Sequence, residues 1–324
     1  MKIVLGLSVA GLAFGIGWSG AMAQTYPSRP ISLIVPYAAG GPSDSIARLV
    51  GKSMSDALGQ QIVVENIAGA GGTTGAARVA KAEPDGHTLL IHHLALAAGA
   101  SLYNSPGYDT LTAFEPVGLI NYGPFVLIAK NAFPANSLAE FLAEVRKSAD
   151  KLSVAHAGVG SGSHLCGVML GQALGVELRF VPYRGTAPAL NDVVGGQIDI
   201  LCDQTTNAVP QIAAKTVKAF AVTSLQPVPQ LPGLPTLASA VPGFDLTVWH
   251  ALYGPKGMPK EAVNKLNAAL QKALADRNVN TRFGDLGTLL FPEAQRTPAA
   301  LQAKLNAEVK HWAAVVKSAG IRPQ

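Results

Sequence analysis

The chain has 324 residues, 14% of them charged, with 25 Lys and Arg against 20 Asp and Glu for a net charge of +5. The basic excess is mild and spread along the sequence without a Lys/Arg cluster. That argues against nucleic acid as a partner and favours small anions arriving by diffusion. A chain of this length buries a large core, ordinarily as two domains.

The N-terminus reads as a secretory leader. Lys2 precedes an uncharged apolar run from Ile3 to Trp18, and Ala21-Met22-Ala23 supplies the small-x-small pattern of a signal peptidase site. Cleavage is expected after Ala23, giving an exported, soluble chain. The run falls short of the ~20 apolar residues a membrane span needs, and no cysteine lies near the cleavage site to carry a lipid. In that oxidising compartment Cys166 and Cys202 form either a disulfide or two buried free thiols, and the sequence leaves both open. There is no C-x-x-C and no metal-ligand spacing, so neither a metal nor a cofactor is expected.

The first strand is predicted over Pro30 to Pro36, followed by Tyr37-Ala38-Ala39-Gly40-Gly41 and a helix over Ser43 to Leu58. Ile46, Leu49 and Val50 fall at helical spacing. Gly40-Gly41 let the backbone turn where a side chain would clash, and Ser43 or Asp44 is expected to cap the helix. The free N–H groups at such a start, with the positive end of the helix dipole, make a seat for an anion. Gln61 to Glu65 is a second strand, running into a glycine-rich loop, Asn66 to Gly75, and a helix through Lys81. The loop is not G-x-G-x-x-G and no acidic residue follows suitably, so a nucleotide is not expected. Two glycine turns at strand ends instead bring two sets of backbone N–H groups onto one crevice.

Thr88 to Ile91 is a third strand ending in His92-His93. Adjacent residues of extended chain face opposite sides, so one of the two is expected to face the crevice, and a shared metal is not expected. His93 is taken as a candidate ligand residue, although the sequence leaves open which histidine faces inward. A helix from Ala95 reaches Leu102. Two apolar runs, Phe114 to Ile120 and Phe125 to Lys130, are separated by Asn121-Tyr122-Gly123-Pro124, where the chain is expected to cross into a second lobe. A helix over Leu138 to Ser148, capped by Ser137, leads to a second strand–loop–helix unit: Leu152 to Ala157, Gly158 to Ser163, then His164 to Leu174.

Phe180 to Tyr183, a helix over Ala187 to Val194, and strands over Ile198 to Cys202 and Val217 to Val222 complete that lobe. Phe244 to Gly254 crosses back, and helices over Lys260 to Ala275 and Pro298 to Ser318 return to the first lobe, which is therefore discontinuous. Strands alternating with helices imply βαβ units and mostly parallel sheets. The expected division is a leader at 1–23, one lobe from 24–123 with 247–324, and another at 124–246.

Five stretches together resemble one family. Pro36 to Gly41 with Asp44, Asn66 to Gly75, Gly158 to His164 (G-V-G-S-G-S-H), Pro182-Tyr183-Arg184-Gly185 and Gly195-Gly196-Gln197-Ile198-Asp199 occur in order along the mature chain. They look like the motifs of the tripartite tricarboxylate transporter receptors, also called the Bug (Bordetella uptake gene) family of periplasmic solute-binding proteins. Two departures are Ala68, where relatives often carry Pro, and the His92-His93 pair, which has no family role. The resemblance implies a type II-like periplasmic binding protein: two α/β lobes, each a mostly parallel sheet flanked by helices, joined by two crossing strands as a hinge. It also implies a site where amides and waters hold a carboxylate. Carried over, that site is Tyr37, Ala39, Gly40, Gly41, Asp44, Gly72 and Thr73 from one lobe. From the other come Ser161, Ser163, His164, Thr186 and Asp203.

The expected function is capture of a small organic acid by a monomeric periplasmic receptor, and its delivery to the membrane permease subunits of a tripartite transporter. A sensor domain presenting ligand to a membrane kinase would use the same clamshell. An esterase is the rival of another kind, since Ser161 or Ser163 with His164 and Asp203 invites a triad. A Ser beside its His in sequence seldom has base geometry, however, and no G-x-S-x-G elbow is present, so no catalysis is expected.

Overall fold

The computed structural model describes residues 26–324, and the leader expected over 1–23 lies outside them. β1 (Ile31–Val35), α1 (Pro42–Leu58), β2 (Ile62–Asn66), α2 (Thr73–Ala80), β3 (Thr88–His93) and α3 (Ala95–Leu102) open the first lobe. A long strand, β4 (Phe114–Lys130), leads into the second. There α4 (Leu138–Ser148), β5 (Ser153–His156), α5 (Gly162–Leu174), β6 (Arg179–Pro182) and α6 (Thr186–Val194) follow. β7 (Ile200–Gln204), α7 (Thr205–Ala213) and β8 (Val217–Val222) complete it. The chain returns through β9 (Thr247–Pro255) to α8 (Lys260–Ala275), α9 (Arg277–Asp285), β10 (Leu289–Leu290) and α10 (Pro298–Ser318).

β1 lies between β2 and β3, parallel to both. β3 then pairs antiparallel with β9, and β9 with the first part of β4. The pairing of β4 with β9 ends at Pro124, opposite Thr247; from Phe125 onward β4 pairs with β7 and β8. β7 runs parallel to β5, and β5 to β6. The result is a two-lobed α/β binding-protein fold of the type II clamshell class, in which β4 runs through both sheets and β9 returns the chain to the first.

Asn121 to Pro124, between the two predicted apolar runs, are continuous strand within β4. Gly123 lies against Thr288, and Asn121 donates from Nδ2 to Thr288 Oγ1 at 2.8 Å. Pro124 sits where β4 changes partners, a place at which its missing N–H interrupts neither ladder. Beyond these residues β4 pairs in the second sheet. Two helices without a sequence expectation, α7 and α9, have physical reasons for being hidden: Pro210 lies inside α7, and α9 is short and mostly polar.

One apolar layer packs Ile46, Val50 and Met54 of α1 and Leu266 and Leu270 of α8 against Leu33, Val35 and Ile91 of the first sheet. In the second lobe Val126, Ile128, Leu201 and Val222 meet Leu190 and Val193 of α6. Burial on both sheet faces explains the unbroken apolar run from Phe125 to Ala129.

Cys166 of α5 and Cys202 of β7 are joined by a disulfide, with a Cα–Cα distance of 6.3 Å and a sequence separation of 36. It clips a helix that begins at the cleft to the strand beneath it. Replacing both cysteines by alanine is expected to lower unfolding stability by about 2–4 kcal/mol. Guanidinium denaturation checks this, and an unchanged midpoint would show that the bond contributes nothing to the fold.

Candidate functional site

Between the lobes lies a cavity lined by Tyr37, Gly41, Pro42, Ser43, His93, Phe125, Ala157, Ser161, Gly162, Ser163, Thr186 and Gln204. None of these carries an Asp, Glu, Lys or Arg side chain. The cavity is positioned by helix starts. Gly41 precedes α1, Ser161 precedes α5, Gly185 precedes α6 and Gln204 precedes α7. The amides of a first helical turn have no partner within the helix, and the dipole adds positive potential there. Four such ends therefore face one uncharged space.

α1 starts one residue earlier than its sequence suggests, with Pro42 in its first turn and Gly41 at the cap position without a side-chain bond. Asp44 is not the cap but reaches back. Its Oδ2 accepts from the Gly40 N–H at 2.9 Å and from Arg48 Nε at 3.0 Å. Burial raises the Asp44 pKa, but the bonds from Arg48 and Gly40 outweigh it and hold the carboxyl below its ordinary value. Asp44 thus shapes the turn from behind rather than lining the cavity. Gly40, at φ +79°, and Ala39 face outward. Gly40 borders an outer groove of about 400 Å³ between α1, α6, α7 and α9, where Arg282 is also found.

Tyr37 donates from its hydroxyl to the Gly71 carbonyl at 2.7 Å, and its ring stacks on His93 at 4.9 Å between centroids. Of the two adjacent histidines, His93 lines the cavity. His92 turns to the second glycine loop, its Nε2 beside Gly72. Gly72 and Thr73 therefore stand behind Tyr37 and outside the cavity lining. His93 Nδ1 accepts from the Ala95 N–H at 3.1 Å, which assigns the ring proton to Nε2 and leaves that N–H as the remaining donor. Burial and the neighbouring His92 and His250 keep the His93 pKa well below its ordinary value, so the ring is neutral.

In the second lobe Ser161 Oγ accepts from the His164 N–H, Ser163 Oγ accepts from the Ala157 N–H, and the two hydroxyls are 3.1 Å apart. One of their two protons serves the bond between them, and the other is left to donate. The His164 ring points elsewhere: it packs on His156 and Phe180 and accepts at Nδ1 from the Gly160 N–H. Neither serine has a base. The Ser–His contact at the cavity is Ser43 Oγ to His250 Nε2, 3.2 Å. Among the described residues His250 Nδ1 has no partner, however, and burial pushes the ring down to about 3, too weak for a general base.

Asp203 is fully buried beneath the wall. Its Oδ1 accepts from the Gln204 N–H at 2.8 Å and its Oδ2 from Asn207 Nδ2 at 3.3 Å, with Thr186 also bonded to it. Sequence reasoning passed over Ser43 as a lining residue and Gln204 altogether. The only signal for Gln204 was its place directly after a strand end, and the unrecognised α7 concealed it.

Across the cleft, backbone carbonyls accept hydrogen bonds from the opposite lobe. Ala38 N–H donates to the Arg184 carbonyl at 3.0 Å, Tyr103 hydroxyl to the Val159 carbonyl at 2.7 Å, and Thr205 hydroxyl to the Gly287 carbonyl at 3.0 Å. A Cβ on Gly71 would overlap the Val159 carbonyl, and one on Gly185 would stand 2.9 Å from Ala38 N. The enclosed cavity measures about 20 Å³, room for the centre of about one water. A larger molecule reaches the helix ends only when the lobes part.

Fold and cleft define a two-lobed solute-binding protein, and among the described residues there is no cluster of three metal-binding side chains. The model of the tripartite tricarboxylate transporter family receptor matches residues 46–321, and the chain belongs to that family. It is 45% identical over 94% of its length, and 88% of the relative's, to a protein encoded in the TAR-I ttuE–ttuC′ intergenic region of Agrobacterium vitis. The solved periplasmic binding protein BugD is 48% identical, with a TM-score of 0.90 over 92% of this chain and 100% of that one. MatC from Rhodopseudomonas palustris, solved with bound malate, is 42% identical, with a TM-score of 0.87 over 90% and 100%.

Burial raises the Asp203 carboxyl to about 6, against the bonds from Thr186, Gln204 and Asn207. An unfolded Asp titrates near ~3.9, so the folded state holds this proton more tightly. The ionised group then costs stability above pH 6, a cost relieved as pH falls from about 6 towards 4. Relative to Asp203→Asn, the wild type should gain about 1 kcal/mol between pH 7.5 and pH 5. Urea denaturation at the two values tests this, and parallel curves would refute it.

Proposed function

We propose that the protein captures a small organic acid carrying two carboxylates between its lobes and hands it to the membrane subunits of a tripartite tricarboxylate-type transporter. The observation that carries this reading is the meeting of four helix starts on a cavity without a charged side chain. Amide and hydroxyl donors hold an anion without the desolvation cost of burying an unpaired cation. On one side are the first turn of α1, Ser43 and the His93 N–H; on the other are the first turns of α5 and α6, the Ser161–Ser163 pair and Thr186. Two opposed donor groups match an acid with a carboxylate at each end, and the malate held by MatC has that form. Tyr37 and Phe125 supply the apolar walls.

In this reading Tyr37, Gly41, His93, Ser161, Ser163 and Thr186 meet the acid. Asp44, Gly72, Thr73 and Asp203 brace them, while Ala39 and Gly40 stand at the mouth and His164 packs behind α5. Lobe closure over the acid presents the permease with a surface that exists only when ligand is bound. Export to the periplasm follows from the leader expected before Gln24.

Residues 24–324, unfolded and refolded to remove any bound acid, are screened by thermal shift against mono-, di- and tricarboxylates. A dicarboxylate at about 100 times its Kd should stabilise the fold by ~2.7 kcal/mol. If no carboxylate raises the melting temperature, the reading is wrong. Tyr103→Phe deletes one bond between the lobes, and a hydrogen bond contributes about 0.5–1.5 kcal/mol. The variant should bind the responding acid about 3- to 10-fold more weakly, with unfolding of the ligand-free protein little changed. Equal affinities by calorimetry would show that this bond does not favour closure.

A further inference from the structure

One buried imidazole stands directly behind the cavity wall. His250 lies on β9, in register with His93 of β3 on one side and Asn121 of β4 on the other, so two strands fix its backbone. The residue is fully buried, and among the described residues its side chain makes one hydrogen bond, between Nε2 and Ser43 Oγ at 3.2 Å. Nδ1 is buried there without a partner. Rotating the ring by half a turn would set carbon Cε1 against Ser43 Oγ and lose that bond, so the contact fixes the ring's orientation. Ser43 itself lines the cavity from the first turn of α1. Burial and the neighbouring His92 keep the imidazole neutral, so it carries one proton, on Nδ1 or on Nε2. With no partner at Nδ1, that side of the ring does not choose between the two.

The choice falls to Ser43. With the proton on Nδ1, the serine hydroxyl donates to Nε2 and turns only lone pairs towards the cavity. With the proton on Nε2, the ring donates to Ser43 Oγ and the hydroxyl proton is free to point into the cavity. A carboxylate brings acceptors only, so it is repelled by the first arrangement and held by the second. We propose that His250 is a positioning residue for the acid: its Nε2–H donates to Ser43 Oγ, the Ser43 O–H then donates to a carboxylate, and binding selects this tautomer. The proposal rests on the dicarboxylate reading above and adds the residue that sets the direction of one of its donors. Both bonds of the chain point the same way, and a bond to a charged acceptor strengthens the one behind it. In a hydrolase triad a carboxylate holds the proton at Nδ1 and leaves Nε2 to accept from the serine. His250 has no such carboxylate among the described residues, which lets the same pair of side chains work in the opposite direction.

The test is calorimetric titration of residues 24–324 with succinate, malate, aspartate and glutarate, continued with whichever binds most tightly. His250→Phe removes both ring nitrogens and should weaken that acid about 3- to 10-fold. His250→Gln restores a side-chain donor and should recover binding to within about twofold of the wild type. In a Ser43→Ala background His250→Phe should change the affinity by less than about twofold, because the ring then has no hydroxyl to orient. Nitrogen-15 spectra of the labelled wild type, with the His250 signals identified by their loss in His250→Gln, should place the proton on Nε2 once acid is bound. An unchanged affinity in His250→Phe, an equal loss with and without Ser43, or a bound ring protonated on Nδ1 overturns the role of His250 and leaves the dicarboxylate reading standing. Binding of none of the four acids overturns both. Should His250→Phe fail to fold, the wild-type spectra decide, since they need only the native protein with and without acid.

Discussion

Helix starts aimed at a space with no charged side chain are the constraint on which the rest of this structure depends. The amides of a first turn cannot bond within their own helix, and in this cleft they are not answered by acidic side chains either. α1 arrives from the first lobe, and α5, α6 and α7 from the second. Positive potential is thus built from backbone, which cannot swing away or lose a proton. The buried imidazoles nearby fit the same logic: burial holds His92 and His250 near about 3, so they are neutral packing and hydrogen-bonding groups rather than cations.

A cleft assembled from two lobes must also be able to open, and the connections are suited to that. β4 and β9 run side by side as far as Pro124 and Thr247, after which β4 continues in the other sheet. Across the cleft, backbone carbonyls of Arg184, Val159 and Gly287 accept from the Ala38 N–H and from the Tyr103 and Thr205 hydroxyls. Gly71 and Gly158, both at positive φ, meet with no room for a side chain between them. Glycine in these loops does two jobs: it permits the turn and lets two main chains come into contact. Each bond is weak alone, so closure and opening stay finely balanced and a bound acid can tip them.

The disulfide and Asp203 lie under the same wall. Cys202 and Asp203 are adjacent in β7, one tied to α5 and the other holding Thr186, Gln204 and Asn207. The strand end beneath the cleft is fixed covalently on one side and by hydrogen bonds on the other. A rigid wall is what a site needs if its donors are to keep the geometry that fits one ligand.

Much of this was legible in the sequence, for reasons that are local. Periodicity and glycine turns marked β1–α1 and β5–α5, and five spaced motifs identified the receptor family. The same signals erred where tertiary context prevails. Asp44 has the composition of a cap but bonds back to Gly40 from inside α1. His164 sits beside two serines in sequence yet packs on His156 and Phe180. What the sequence by itself determined is the strand–turn–helix units and the helix starts they present, because these follow from neighbours a few residues apart. What only the tertiary structure decided is which starts share one cavity, which histidine faces it, and that Cys166 and Cys202 pair. Those depend on two lobes brought together by strands far apart in the chain, and no local pattern encodes the meeting of Tyr37 with His93 or of Ala38 with Arg184.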